Sequence, residues 1–329
     1  MYIKLRENPS KEGRNGKPLI QIGLGVIQKE GISVFHKVHD WNVHDSRTFK
    51  DAISYFEEHK IKDGIVVFDR GVTSDKIQSC LKKIKWKVLC GLPSTNRLKN
   101  MLRKEIKDNK FIHFKNRVRL HSTVFYVVKK DYLIADVKGT LAICFNEQKR
   151  IDLNETLNDE IENAQMLLLS GKTIKEKLNK FFTKSGEIIY EEIRKEEELN
   201  GYCYIFTTAK LTAEEMICHY FDKDLVEKAF RSLKGIVRLR PIRHWLYNRV
   251  ESHVFICYLS YLLLSILKMR LKKLNISPMT ALQELDSLYR VYMKDAKKGF
   301  EVSRVVALNK MQEKILKTVD KNLFKLCSG

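Results

Sequence analysis

Five side chains in the second half of the chain carry the clearest chemical pattern. Tyr220, Lys223, Glu227, Arg231 and Lys234 are spaced by three, four, four and three residues. At about 100° per residue of an α-helix they lie within an arc of roughly 80°. One carboxylate is thereby set among three cations and a phenol. Leu225, Val226, Ala229, Phe230 and Leu233 fall on the other side, which gives the helix an apolar face for a core and an ionic face. The same spacing also describes an ordinary solvated face laced with Glu/Lys pairs. A second acidic residue, Asp69, closes the apolar run GIVVF, and the C-terminal ends of strands are where α/β sheets place ligand-binding groups. An aspartate there equally serves to cap the next turn.

These residues need elements to carry them. Residues 19–38 read as two β-like runs, LIQIGLGVIQ and ISVFHKV, around Lys29, Glu30 and Gly31, a hairpin. Residues 46–58 place Phe49, Ile53 and Phe56 at helical spacing, and GIVVFD follows as a short β-branched strand. Residues 74–83 read as another helix with Ile77 and Leu81 inward, and KWKVLCGL as a strand ending before Pro93. Alternation of this kind is α/β. Between 111 and 153 three β-like runs, TVFYVVKK, YLIADVK and TLAICFN, are separated by charged or Gly-containing turns. A helical stretch spans 155–182, a strand YCYIFTTA follows Gly201, and from Thr212 onward nearly everything reads as helix: 212–233, 244–271, 278–294 and 308–326. No internal repeat or low-complexity linker interrupts this order.

The 329 residues carry 61 Lys and Arg against 40 Asp and Glu, a net charge of +21. Hydrophobic residues at 44% and aromatics at 10% exclude a disordered chain. The excess charge predicts attraction to a polyanion, DNA or RNA; a generally Lys-rich proteome gives the same composition. The seven cysteines never form a Cys-x-x-Cys pair and read as buried thiols in a reducing compartment. The N-terminal residues contain no apolar signal region. The strongest apolar run, 254–267, is shorter than the roughly 20 residues of a bilayer span and reads as a buried core helix. The expected location is cytoplasmic, with no membrane partner.

The spacing Tyr220-x2-Lys223-x3-Glu227-x6-Lys234 resembles the Tyr-x2-Arg-x3-Glu-x6-Lys signature of DDE-type insertion-sequence transposases in the superfamily named for insertion sequence four, with Lys223 in place of the arginine. The text around it is also similar: Thr207-Thr208 before the helix, the run from Glu227 to Lys234, Arg240-Pro241, and His253 in the next helix. Upstream, the segment from Val67 to Gly71 is similar to the family's second-aspartate segment, and that from Asn42 to Thr48 to the stretch before it. The resemblance implies an α/β fold with an RNase H-like catalytic core (1–110 and 201–272), a β-rich insertion (111–200) and a helical C-terminal region (273–329). It implies that Asp69 and Glu227 are catalytic carboxylates holding divalent metal, Mg²⁺ or Mn²⁺, in a two-metal site. Tyr220, Lys223, Arg231 and Lys234 would then contact DNA phosphates. The implied partners are double-stranded DNA, as transposon ends and target, and a second copy of the chain in a homodimer.

In that family the first aspartate lies on the first strand, just before the hairpin. Residues 1–18 contain no Asp, and Glu7 stands in no recognisable motif. The expectation is therefore that the first strand and its aspartate are missing, that two carboxylates of three leave two-metal catalysis impaired, and that the hairpin is separated from the Asp69 strand. The leading reading is a transposase by descent, truncated at its N-terminus. The alternative is a non-catalytic, transposase-derived DNA-binding protein; a nuclease fold acting on RNA or repair substrates is a third.

Overall fold

The structure, a computed structural model, describes residues 2–4, 20–40, 45–61, 63–68, 86–107, 111–134, 136–244, 246–294 and 301–328. Along the chain run β1 (Tyr2–Lys4), β2 (Ile20–Val26), β3 (Ser33–Asp40), α1 (Asp45–Glu58), β4 (Ile65–Phe68), β5 (Lys87–Leu92) and α2 (Asn96–Lys107). Next come β6 (Arg117–Leu120), β7 (Thr123–Ile134), β8 (Val137–Phe145), α3 (Glu147–Leu169), α4 (Tyr190–Glu197), β9 (Tyr202–Thr207), α5 (Ala213–Phe221) and α6 (Asp224–Lys234). The chain ends with α7 (Tyr247–Leu271), α8 (Pro278–Leu285), β10 (Arg290–Lys294), β11 (Glu301–Val305), α9 (Lys310–Val319) and α10 (Lys321–Ser328). Two compact units emerge: Met1–Asn15 with Trp41–Asp224, and Gly16–Asp40 with Leu225–Gly329.

In the first unit the strands are ordered β1-β4-β5-β9-β8-β7-β6. β1 runs parallel to β4, Tyr2 opposite Val67, and β4 parallel to β5; β9, β8, β7 and β6 continue antiparallel. Val66, Val67 and Phe68 are buried in succession, as are Val88, Leu89 and Cys90. Successive residues point to opposite faces, so both faces of these strands are covered, which is why their sequences are unbroken apolar runs. Helix α5 packs on β5 and β6 through Met216 and Ile217, both fully buried. The buried thiols anticipated from sequence include Cys90, Cys144 and Cys257, and burial pushes the Cys90 thiol up to about 12.

Several expectations need correction here. The strand before the hairpin is present as Tyr2–Lys4; three residues are too short to register as a period among charged neighbours. Lys129, Lys130 and Asp131 do not form a turn but continue the twelve-residue strand β7, and the chain reverses instead near Asp136, in the left-handed conformation at φ 67°, which Asp tolerates. Helices α2 and α4 were not anticipated, and α3 starts at Glu147, capped by the Asn146 side chain, ahead of the expected 155. The helix expected over 74–83 lies outside the described residues.

In the second unit, β2 and β3 pair antiparallel as expected, and Gly31 turns the hairpin at φ 69°, a conformation glycine adopts without strain. The hairpin packs on α7, whose Tyr258 and Tyr261 hydroxyls donate to the Ser33 and Gly31 carbonyls at 3.2 and 3.3 Å. His36 stacks on Tyr258 at 4.0 Å between ring centres. Helix α7 is only half the core helix expected: Val254, Cys257 and Tyr261 are buried, whereas Ile256 and Leu263 are 62% and 67% exposed. The stretch from Tyr247 is long and apolar enough to cross a membrane by length and composition alone. The C-terminal region is not wholly helical, because the expected helix over 278–294 ends at Leu285 and its second half is strand β10, paired with β11. The run Tyr289, Val291, Tyr292 is β-branched and aromatic, so its side chains suit a pleated surface.

Candidate functional site

Asp69 lies outside the described residues. The strand before it is placed: β4 ends at Phe68, 4% exposed, between the parallel neighbours β1 and β5. None of the three residues of β1 is an aspartate.

The segment leading to the ionic residues is held by threonines. The Thr207 hydroxyl, fully buried at the end of β9, donates to the Val88 carbonyl at 2.7 Å and accepts the Ala209 N–H at 3.0 Å. The Thr208 hydroxyl accepts the Val88 N–H at 2.9 Å. Five residues after Thr207, Thr212 opens α5 with a reciprocal capping box: its hydroxyl accepts the Glu215 N–H, and the Glu215 carboxylate accepts the Thr212 N–H. These hydrogen bonds hold the Glu215 carboxyl below its ordinary value. The threonine clamp was legible only as part of a resemblance, since its bonding is long-range.

The single helix expected over 212–233 is two helices, with Asp222 capping the end of α5. Tyr220 and Lys223 belong to the first unit. Tyr220 is 2% exposed, so it is walled in rather than set on a solvent face, its ring edge-on to Phe221 at 5.3 Å. Phe221 in turn stacks on Phe125 at 4.8 Å; neither phenylalanine was singled out from sequence, because Phe125 lies on a distant strand. Lys223 in the connecting turn sits over the Tyr220 ring at 4.4 Å from its centre and donates to the Tyr220 hydroxyl at 3.4 Å, a cation–π contact that fixes a positive charge beside the phenol.

Glu227, Arg231 and Lys234 belong to the second unit, on α6. Val226, Ala229 and Leu233 form its buried face. Glu227 and Arg231 are exposed and Lys234 is half-buried; at helical spacing the three fall within about 60° of each other. Lys234 lies 5.9 Å from the Phe230 ring centre, and Arg231 and Lys234 occupy the last turn, where the helix dipole favours cations. This face can meet an anion with two cations and present one hard carboxylate. Among the described residues no group of three His, Cys, Asp or Glu side chains could hold a metal. Glu227 has the oxygen chemistry that Mg²⁺ takes, but one carboxylate does not make a two-metal centre.

A family model described as Transposase DDE domain matches residues 3–263. Comparison with curated proteins gave no match.

Proposed function

The chain belongs to the transposase DDE domain family, and from that premise we propose that it is a transposase-like protein acting on transposon-end and target DNA, as a homodimer that brings paired ends together. The observation that carries the reading is the row Glu227, Arg231, Lys234 on α6, the first two exposed and Lys234 half-buried, with Glu227 and Lys234 at the spacing of the family signature's glutamate and lysine. In this reading Arg231, Lys234 and Lys223, the last held over the Tyr220 ring, contact phosphates, and Glu227 and Asp69 are the acidic groups at the scissile phosphate. An RNase H-like core is supported by the parallel set β1, β4, β5 and by the antiparallel hairpin that follows β1 in the chain. The 111–200 segment is then an insertion and 273–329 an appended region. DDE transposases generally use a divalent metal, and Mg²⁺ or Mn²⁺ is the expected ion.

The absence of an aspartate from β1, the strand before the hairpin, favours a second reading, a transposase-derived protein that binds DNA without cutting it. Cleavage and strand transfer on labelled transposon-end DNA with Mg²⁺ or Mn²⁺ separates the two, comparing the chain with Glu227→Gln. The transposase reading expects cutting that Glu227→Gln reduces about a hundred- to a thousandfold while DNA binding persists, in the range seen when a group stabilising transition-state charge is removed. Equal cutting by both proteins removes Glu227 from the chemistry. Binding without cutting by the unaltered chain establishes the second reading.

A further inference from the structure

Strands β10 and β11 form a two-stranded ribbon in register from Arg290 opposite Val305 to Lys294 opposite Glu301. All of β10 is exposed, and so is β11 except Val305. An isolated hairpin is marginal in water, and burial stabilises this one little. Directly opposed residues of an antiparallel pair share a face. Arg290, Tyr292 and Lys294 therefore lie on one face with Ser303 and Glu301, while Val291, Met293, Val302 and Arg304 lie on the other. Tyr292 is 77% exposed, an aromatic ring presented to solvent between Arg290 and Lys294. Arg290 donates to the Leu326 carbonyl at 3.4 Å, which ties the ribbon's base to α10. Lys294 pairs with Glu301 at 2.7 Å with both side chains about two-thirds exposed, a contact worth little in solvent and readily exchanged.

We propose that this ribbon is a second DNA-docking element, laid along a groove of duplex DNA with Arg290 and Lys294 on phosphates and Tyr292, on the same face, against the groove wall. It rests on the reading of DNA as partner given above, but the ribbon lies beyond residue 263, where the family match ends. Charge selects the occupant: residues 264–329 carry fourteen Lys and Arg against six Asp and Glu, within a chain of net charge +21. Size agrees. Two strands about 4.8 Å apart enter a major groove about 12 Å wide, which admits a two-stranded ribbon.

The test measures binding of the full chain to mixed-sequence duplex DNA by fluorescence anisotropy across a salt series. The comparison is with the triple variant Arg290→Gln, Tyr292→Ala, Lys294→Gln. Each phosphate contact contributes about 0.9 to the slope of log affinity against log salt. The variant is expected to lose about two units of slope and at least about tenfold in affinity at low salt, and Glu301→Gln to bind more tightly. Conservative exchange, Lys294→Arg with Arg290→Lys, is expected to keep the slope, which separates charge loss from misfolding. Unchanged slope and affinity in the triple variant overturn the ribbon proposal while leaving the transposase reading intact. Failure of the unaltered chain to bind any duplex overturns that reading first, and with it the ribbon.

Discussion

Gly139 shows how much of the fold can depend on an absent side chain. It lies on β8 at the edge of the close approach to β9, and a Cβ there would stand 2.4 Å from the Thr207 carbonyl oxygen and 2.5 Å from the Phe206 ring. The obstacle is partly backbone and partly a ring that is itself fully buried, so neither yields without moving the strand pair whose end Thr207 anchors. Gly139→Ala is expected to destabilise the chain by about 1–3 kcal/mol, the usual cost of overpacking, read as a fall in the urea midpoint at unchanged slope. An unaltered midpoint would mean that β8 and β9 have room the contact denies. At the same scale, the ionic row Glu227, Arg231, Lys234 was legible from spacing because all three stand on one helix. Tyr220 was not, because the interruption after Phe221 leaves the apolar rhythm intact: Met216, Ile217 and Tyr220 are buried before it and Val226, Ala229 and Leu233 after it. Periodicity runs through a two-residue break that changes what a side chain faces.

At the scale of elements, local chemistry was read where it is local. The Gly31 hairpin, the apolar runs of β4, β5 and β9 and the N-terminus of α5 came directly from sequence. Strand β7 and ribbon β10–β11 did not, because charged residues in a strand interior look like turns until cross-strand pairing is known, and β10 follows a genuine helix without a Gly or Pro to mark the change. The α5 cap offers a test at this scale. Thr212→Ala removes one half of the capping box and is expected to cost about 1 kcal/mol at neutral pH. The Glu215 carboxyl is held below its ordinary value of 4.5, first by the Thr212 N–H and then by its hydroxyl. An acid with a depressed folded-state value contributes stability that is present above its unfolded value and lost as pH falls through the folded one. The stability gap between the two proteins is therefore expected to be widest above about pH 5 and to contract in stronger acid, followed by thermal unfolding from pH 7 to pH 3. A gap that widens in acid would remove Glu215 from the cap's energetics.

For the whole molecule the decisive quantity is charge, and its two explanations make opposite predictions. A net charge of +21 that only reflects a Lys-rich proteome is spread without regard to any ligand, so duplex DNA would be bound weakly and with a shallow dependence on salt. A charge organised for DNA, with Arg231 and Lys234 on α6 and Arg290 and Lys294 on the ribbon, engages several phosphates at once. Six to ten such contacts cost about 10³- to 10⁵-fold in affinity between 50 and 200 mM salt. The transposase reading adds a condition that composition alone cannot meet. Contacts to base edges carry sequence information and release few counterions, whereas phosphate contacts set the general affinity. Raising salt is therefore expected to strip binding to random duplex faster than binding to transposon ends, so that the preference for ends grows from 50 to 200 mM while both affinities fall. Competition of labelled ends against random duplex across that range measures the ratio directly. A ratio that stays at one throughout assigns the charge to general polyanion binding and leaves the family's chemistry without its substrate.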